Sequence, residues 1–338
     1  MTPERMLVVI CPDWPVVAAG FTADIAVAVL AANVVAACSA AARTEGVQQG
    51  LRRRLAESRC PGLAVIDHDP SCDARAFEPV VAAVESFTPR VEVLRPGACA
   101  FATRGPSRYF GGDEALAAKV AEKVDRVLAG RARSCVGVAD GRFAAEVAAR
   151  HDVRVPPGAS ARFLAPLPVD TLDEPDLVHL LRRLGIRTLG DLAGLSAATV
   201  VARFGPAGRL AHRRARGLDD VPLSARIPPP DFTVSVELDP PVAQLETAAF
   251  AAKSLADELG DRLAAQGLVV TGVRVEAETE HGEHLVRLWH HDRGLTAGAL
   301  AQRVRWQLDG WFGSPASSSP TSGLTLLRLV PEKVGPDR

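Results

Sequence analysis

The sequence predicts an α+β fold with an antiparallel sheet, and three observations lead to this prediction. Strand-like and helix-like segments mix irregularly over the first 160 residues, without the regular alternation of a doubly wound sheet. After residue 232 the segment order is β-α-β-β-α-β, which is that of a compact module. The chain has 338 residues and a hydrophobic fraction of 47%, enough for two or three cores of an ordinary globular protein.

Composition narrows the class of protein. No apolar run reaches the roughly 18–20 residues of a membrane span, and the N-terminus lacks a signal-peptide pattern. The six cysteines are scattered without a CxxC pair, so we expect reduced thiols and no zinc site in a cytoplasmic protein. The net charge of −1 does not indicate a nucleic-acid-binding protein by itself, so the charge distribution has to decide.

The chain opens with Leu7–Ile10, an apolar run that predicts a buried strand. The strand stops at Cys11-Pro12-Asp13, and a carboxylate at the end of a strand is a common part of a metal site for phosphoryl transfer. This segment offers only Asp13, so such a site would need further carboxylates from elsewhere in the chain.

Short elements follow up to residue 160. The run 25–39 predicts a β-hairpin with Asn33 in its turn, and Pro96-Gly97 separates two later strands. The predicted elements are, in order, a helix over 14–22, the hairpin, a basic helix over 51–58, a strand over 64–68, a helix over 74–86, strands over 91–94 and 98–102, a helix over 111–127, a strand over 135–139 and a helix over 142–150.

The clearest basic patch follows, between residues 180 and 220. Two predicted helices flank a turn at Gly185-Ile186-Arg187, which resembles a helix-hairpin-helix, where backbone N–H groups meet a DNA phosphate. This segment contains only three acidic residues but eight arginines, at positions 182, 183, 187, 203, 209, 213, 214 and 216. A solvated helix face is the alternative, but the turn and the charge together favour phosphate contact.

The C-terminal part begins with a proline-rich segment, 224–231, that predicts a linker. In the β-α-β-β-α-β module, strands are predicted over 232–237, 269–279, 283–289 and 324–329. Helices are predicted over 245–266 and 297–312. This part of the chain carries ten basic and fourteen acidic residues, which does not suit a strong grip on DNA. The run 307–312 faintly resembles a clamp-binding peptide, but its spacing predicts a buried helix face.

Four local motifs make the resemblance to a known family specific. They are Cys11-Pro12-Asp13 after the first strand, the run 39–43 followed by Gly46, the strand segment 92–102, and Arg142 after Gly137. In this order they resemble the motifs of Y-family (translesion) DNA polymerases, and the resemblance covers nearly the whole chain. It implies a palm over 1–12 and 75–160, fingers over 13–74, a helix-hairpin-helix thumb over 161–225, a linker over 226–231 and a βαββαβ little finger over 232–333.

The resemblance also implies that the catalytic residues are missing. Cys11 stands at the first metal-binding aspartate, and Gly97 and Ala98 stand at the catalytic Asp-Glu pair. Ala40 replaces the fingers tyrosine and Val16 the aromatic steric gate. Three residues remain in the degenerate site, namely Asp13 and the triphosphate-contacting Arg43 and Arg142.

The chemical consequence is a predicted loss of polymerase activity. Nucleotidyl transfer uses two divalent ions about 3.5–4 Å apart, and each ion needs hard oxygen ligands. One carboxylate cannot hold two such ions, so we expect no metal, no cofactor and no catalysis. In the alternative, an active polymerase, the motifs are misaligned and the ligands are other carboxylates, with Glu92, Asp113-Glu114 and Asp140 as candidates.

Within the family, CPDWPVVAA at 11–19 and RVRWQLDGWF at 303–312 resemble the ImuB-type proteins of bacterial mutagenesis cassettes. That resemblance implies a non-catalytic scaffold of the mutasome in damage-induced mutagenesis, joining a RecA-like accessory protein, an error-prone DnaE-type polymerase and the sliding clamp. We expect weak DNA binding through the thumb, at Gly185, Arg187, Gly190, Arg209, Arg213 and Arg214. A third alternative is an interaction protein without DNA contact.

Overall fold

The computed structural model describes residues 3–218, 232–313 and 320–336, and the predicted linker at 226–231 lies outside them. Within the described residues eleven strands are present. They are β1 (Arg5–Ile10), β2 (Val27–Ala31), β3 (Val34–Cys38), β4 (Ala64–Asp67), β5 (Glu92–Arg95), β6 (Ala98–Ala102), β7 (Cys135–Asp140), β8 (Val234–Val242), β9 (Leu268–Thr279), β10 (His284–Leu295) and β11 (Leu324–Pro336).

The same residues form thirteen α-helices and one short 3-10 helix, Val169–Leu172. The α-helices are α1 (Trp14–Ala18), α2 (Ala40–Thr44), α3 (Arg53–Arg59), α4 (Pro70–Glu85), α5 (Arg104–Phe110), α6 (Asp113–Leu128), α7 (Arg142–Arg150), α8 (Ser160–Leu164), α9 (Pro175–Arg183), α10 (Leu189–Ala193), α11 (Ala197–Ala215), α12 (Leu245–Ala264) and α13 (Ala297–Gly313). The α+β class predicted from the sequence is confirmed. None of these helices is long and apolar enough to cross a membrane.

The chain divides into two compact units, and neither coincides with one predicted domain. The first unit contains residues 3–10, 100–122 and 135–218, and the second contains residues 11–99, 123–134 and 232–336. Residues assigned to the palm are therefore shared between the two units. The predicted domain boundaries stay predictions.

In the first unit, β1 lies between β7 and β6 and runs antiparallel to β7, with Val8 opposite Gly137. Helix α7 packs so closely on this pair that a Cβ atom at Gly137 would lie 2.0 Å from the backbone nitrogen of Ala149. Only glycine fits there, which fixes α7 against the sheet. Helices α8 to α11 follow along the chain.

The second unit contains two sheets. The smaller has the order β3-β2-β4, and the predicted hairpin is confirmed, with Ala32 and Asn33 in the turn at φ values of 48° and 64°. The larger has the order β5-β10-β9-β11-β8. Not every pair is antiparallel, because β2 runs parallel to β4 and β5 runs parallel to β10.

Several elements differ from the prediction, among them α1, α5 and β11. The first helix has only five residues, because the chain leaves the helix after Ala18 and Gly20 takes a φ of 88°. Helix α5 lies in a region where no helix was predicted, and the final strand β11 continues to Pro336. The run 307–311 is buried inside α13, as predicted for a helix face that packs in the core.

Candidate functional site

The two positions assigned to the catalytic pair lie at the turn between β5 and β6. Pro96 and Gly97 form this turn, and Ala98 begins β6 with 1% of its surface exposed. The backbone N–H of Cys11 donates to the carbonyl oxygen of Gly97 at 2.8 Å, so the structure brings all three altered positions together. Cys11 is also buried. None of the three supplies the oxygen ligand that magnesium requires.

A tryptophan occupies the space in which a side chain at position 97 would lie. Gly97 has a φ of +85°, and a Cβ atom built on it would be 2.4 Å from the Cβ of Trp14 and 2.8 Å from its Cγ. The Trp14 indole N–H donates to the carbonyl oxygen of Asp73 at 2.8 Å, and its ring packs edge-on against Phe77 at 5.2 Å. Because these contacts hold the indole on α4, it cannot easily move aside for an aspartate at position 97.

The remaining aspartate is bound by the remaining fingers arginine. Asp13 lies just before α1 in a left-handed conformation with a φ of 53°, and its side chain does not cap that helix. Arg43 donates from Nη1 to Oδ1 at 2.7 Å and from Nη2 to Oδ2 at 2.5 Å. The hydrogen bonds from Arg43 to Asp13 raise the pKa of the guanidinium. Both carboxylate oxygens and both terminal guanidinium nitrogens are therefore engaged with each other.

The short helix that carries Arg43 is positioned by Ser39. The Ser39 hydroxyl accepts the N–H of Ala42 as an N-cap and also accepts the N–H of Val27 on β2. Arg43 makes a further bond from Nη1 to the carbonyl oxygen of Cys38 at 2.8 Å. The N-cap hydrogen bond fixes the start of α2. This positions Arg43 for its ion pair with Asp13.

The carboxylates considered as alternative ligands bind cations instead. Glu92 lies 3.5 Å from the Lys333 ammonium in the second unit. In the first unit, Asp113 and Asp140 both bind the guanidinium of Arg5, Asp140 at 3.0 Å. Among the residues that the structure describes, no group of three or more His, Cys, Asp or Glu side chains could hold a metal ion.

Arg142, the other retained basic residue, lies in the first unit. It is the first residue of α7, directly after Gly141, and it is half-buried. The structure therefore pairs Asp13 with Arg43 and places Cys11 beside Gly97, whereas Arg142 belongs to a different unit of the chain.

The turn at Gly185-Ile186-Arg187 differs from the helix-hairpin-helix expectation in its hydrogen bonds. Its N–H groups donate within the chain, those of Arg187 and Thr188 to the Asp191 carboxylate and that of Gly190 to the carbonyl of Ala165 at 2.9 Å. The N–H groups of residues 184, 185, 186 and 189 also have backbone acceptors. Backbone donation to a phosphate, which the motif predicted, would require these N–H groups to leave their acceptors within the chain.

The arginines assigned to DNA differ in exposure. Arg187 is exposed, Arg209 and Arg213 are half-buried, and Arg214 has only 7% of its surface exposed. The Arg214 guanidinium lies 5.5 Å from the centre of the Phe143 ring, a cation–π contact inside the first unit. Arg214 thus serves packing in this structure, and Gly190 serves a close approach to Ala165 rather than a ligand.

The segment α11 contains a second helix start, at Pro206. Gly205 has a φ of 61° and a ψ of −151°, so the segment α11 is two helices joined at a kink. Gly205 has no side chain, so it cannot cap the new helix start with a side-chain oxygen. The Gly-Pro pair at 205–206 marks this break in the sequence.

In the sheet of the C-terminal module, two arginines form ion pairs with glutamates of the same sheet. Arg274 binds Glu332 at 2.7 Å and also Glu276, and Arg328 binds Glu276 at 3.1 Å. These two arginines project from neighbouring strands, with Val330 opposite Arg274 and Arg328 opposite Glu276. This face therefore offers a phosphate backbone little uncompensated positive charge.

The comparisons with known proteins agree with the sequence motifs. The model of the impB/mucB/samB family matches residues 14–150. DNA polymerase IV of Methanoculleus marisnigri is 30% identical over 255 residues, which is 72% of this chain and 69% of that protein. Protein ImuB of Caulobacter vibrioides is 27% identical over 249 residues, which is 72% of this chain and 51% of that protein.

The fold is also found among solved structures. The crystal structure of DinB from Sulfolobus solfataricus superimposes with a TM-score of 0.53 at 15% identity, covering 98% of this chain and 99% of that chain. The chain therefore belongs to the Y-family of DNA polymerases and their homologues. It spans a third to just over half of the length of several other DNA polymerase IV relatives, 33% for Halobacterium salinarum and 56% for Pseudomonas paraeruginosa.

Proposed function

We propose that the chain is a non-catalytic Y-family homologue that acts as a scaffold in damage-induced translesion synthesis and mutagenesis. The observation that supports it most is the arrangement around the β5–β6 turn. Cys11, Gly97 and Ala98 provide no hard oxygen ligand, and Trp14 fills the space beside Gly97. Since the reaction depends on charge stabilisation by two ions, such a site has no means to stabilise the transition state.

An active translesion polymerase is the second candidate, and the DNA polymerase IV relatives favour it. It would need metal ligands outside the recognised motifs. The binding of Asp13 to Arg43, and of Asp113 and Asp140 to Arg5, argues against it because these carboxylates are already neutralised. A metal would have to displace an arginine from each of them.

The partners that we propose follow from the similarity to protein ImuB. They are an error-prone DnaE-type polymerase, a RecA-like accessory protein and the sliding clamp, in the bacterial cytoplasm. This similarity extends over 51% of the ImuB relative, so the proposal concerns an assembly role and assigns no partner to a particular surface.

Weak DNA binding through the thumb is part of the proposal, with side chains as its main contacts. Arg187 is exposed, Arg209 lies in the first turn after the kink, and Arg213 is one turn further along. The helix start at Pro206 adds a positive dipole end beside Arg209. Arg214 and Gly190 are buried or occupied, so we do not include them in this interface.

The thumb proposal is tested by binding of a labelled primer-template at several salt concentrations. For the variant Arg187→Glu/Arg209→Glu we expect weaker binding and a salt slope smaller by about 1 for each phosphate that is no longer bound. Arg262→Glu is the matched control, because Arg262 is a half-exposed arginine on α12, paired with Glu258. Equal binding by the thumb variant and the control would support the alternative of an interaction protein without DNA contact.

A further inference from the structure

A buried ionic network joins the C-terminal module to helix α4. Arg287 on β10 has 4% of its surface exposed and binds Glu78 and Glu85 of α4 at the same time. Glu78 is equally buried, and its second oxygen accepts from the Gln307 side chain of α13 at 3.2 Å. A buried charge is tolerated only when it is paired and hydrogen-bonded, so these groups require each other's presence.

A second ion pair and the contacts of two glycines join α13 to α4. Arg75 donates to Asp309 at 2.5 Å, and Asp309 is buried although it is acidic. A Cβ atom on Gly313 would lie 2.5 Å from Cδ of Arg75, and one on Gly310 would lie 3.6 Å from a carboxylate oxygen of Glu78. The helices therefore meet at small residues with charged partners on both sides.

The module also joins the strand that leads to the degenerate catalytic turn. β10 pairs in parallel with β5, with Leu288 opposite Glu92 and Trp289 opposite Val93. The Trp289 indole N–H donates to the Gln307 side chain at 3.1 Å, which connects this strand pair to the buried network. One continuous interface therefore joins the module to β5 and α4. It consists of backbone hydrogen bonds between strands, side-chain hydrogen bonds and ion pairs.

Pro96, at the tip of that turn, lies beside the module. A small cavity is lined by Pro96, Phe77 and Val81 on one side and by Trp289, Trp306 and Gln307 on the other. Trp289 is buried and packs at 6.3 Å from Trp306. Aromatic side chains from the module therefore close the flank of Pro96, while Trp14 closes the side of Gly97.

We propose that the Arg287 network acts as a latch, which keeps the C-terminal module docked on α4 and β5 and whose loss releases the module from both. This inference goes beyond the proposed function, because it holds whether or not the thumb binds DNA.

The latched state is tested directly by a designed disulfide across the strand pair. Cα partners in a ladder lie about 5 Å apart, which suits a disulfide, so Glu92→Cys/Leu288→Cys should oxidise to an intramolecular crosslink in most molecules. Glu92→Cys/Val286→Cys is the matched control, one repeat along the same face of β10, and should crosslink at least tenfold more slowly. Equal rates, or only intermolecular crosslinks, would overturn the docking.

The role of Arg287 is tested by adding Arg287→Leu to the crosslinking variant. Removing the cation leaves the buried Glu78 and the half-buried Glu85 without their arginine, so we expect the crosslinking rate to fall at least fivefold. Arg262→Leu in the same background should leave the rate unchanged. Glu78→Gln keeps the side-chain volume, so the circular dichroism should be unaltered. Its crosslinking rate should fall, but by less than that of Arg287→Leu. An unchanged rate in both Arg287→Leu and Glu78→Gln would show that the network is not the latch.

Discussion

Arg43 and Asp13 bind each other through two parallel hydrogen bonds, with nitrogen–oxygen distances of 2.7 and 2.5 Å. By the motifs, Asp13 is the aspartate retained after the first strand, and Arg43 would contact a triphosphate. In this chain each serves as the counter-ion of the other. The pair is therefore a structural contact between the start of α1 and helix α2.

A double-mutant cycle measures the strength of this pair. Asp13→Asn removes the charge but keeps a residue that tolerates the left-handed conformation, so backbone strain does not enter. We expect Asp13→Asn and Arg43→Gln each to lower the free energy of unfolding by about 1 kcal/mol, a modest value because Arg43 is 45% exposed. Urea unfolding should give a coupling energy of similar size. A coupling near zero would mean that the pair is not formed in solution.

Replacement of Gly97 should be far more costly than replacement of a comparable glycine. Gly50 has a φ of +87° and nothing within 4 Å of the place where a Cβ atom would lie, so Gly50→Ala should cost about 1 kcal/mol of stability from backbone strain alone. Gly97→Ala adds a clash with Trp14 and should cost about 3 kcal/mol or more. Thermal or urea unfolding of the two variants measures the difference. Equal costs would show that Trp14 does not fill the site.

The same clash predicts the outcome of restoring the catalytic acids. Cys11→Asp/Gly97→Asp/Ala98→Glu should not bind Mn²⁺ more tightly than the unaltered chain, because the aspartate at 97 has no room beside Trp14. Adding Trp14→Ala should improve Mn²⁺ binding in calorimetry by opening that space. Tight binding by the triple variant alone would contradict this account of Trp14.

Acid should weaken the turn that begins α10. The N–H groups of Thr188 and Arg187 and the Thr188 hydroxyl lower the pKa of the Asp191 carboxyl below its ordinary value of 3.8. A carboxyl with a lowered pKa in the folded state stabilises that state at pH values above its ordinary pKa. This stabilisation is lost as the pH falls through the folded pKa. The difference in Tm between the unaltered chain and Asp191→Asn should therefore shrink from pH 6 to pH 3. A constant difference would mean that the capping box is not formed.

The order of elements and the family could be predicted from the sequence, because they depend on local patterns. The hairpin at Asn33 and the buried face of α13 followed from periodicity and turn residues. The assignment of Cys11, Gly97 and Ala98 to catalytic positions also rests on the sequence motifs, and it stays a prediction.

The tertiary contacts could not be predicted in this way. Arg43 and Asp13 are 30 residues apart, and Arg287 and Glu78 are 209 residues apart, so no local pattern pairs them. An arginine in an alternating strand normally points to solvent, which gave no reason to expect a buried Arg287. The hydrogen bonds that occupy the N–H groups of the Gly185 turn likewise depend on Ala165 and Leu167, residues outside the motif.

Primer extension tests the central claim, the absence of nucleotidyl transfer, most directly. A labelled primer-template is incubated with all four deoxynucleotides and either Mg²⁺ or Mn²⁺, and the products of the unaltered chain are compared with those of Asp13→Asn. We predict no extension above that variant with either ion, because the described residues offer no set of carboxylates to hold the two ions. Template-directed incorporation by the unaltered chain that disappears in Asp13→Asn would contradict this account, since it would show that Asp13 leaves Arg43 to bind a catalytic metal.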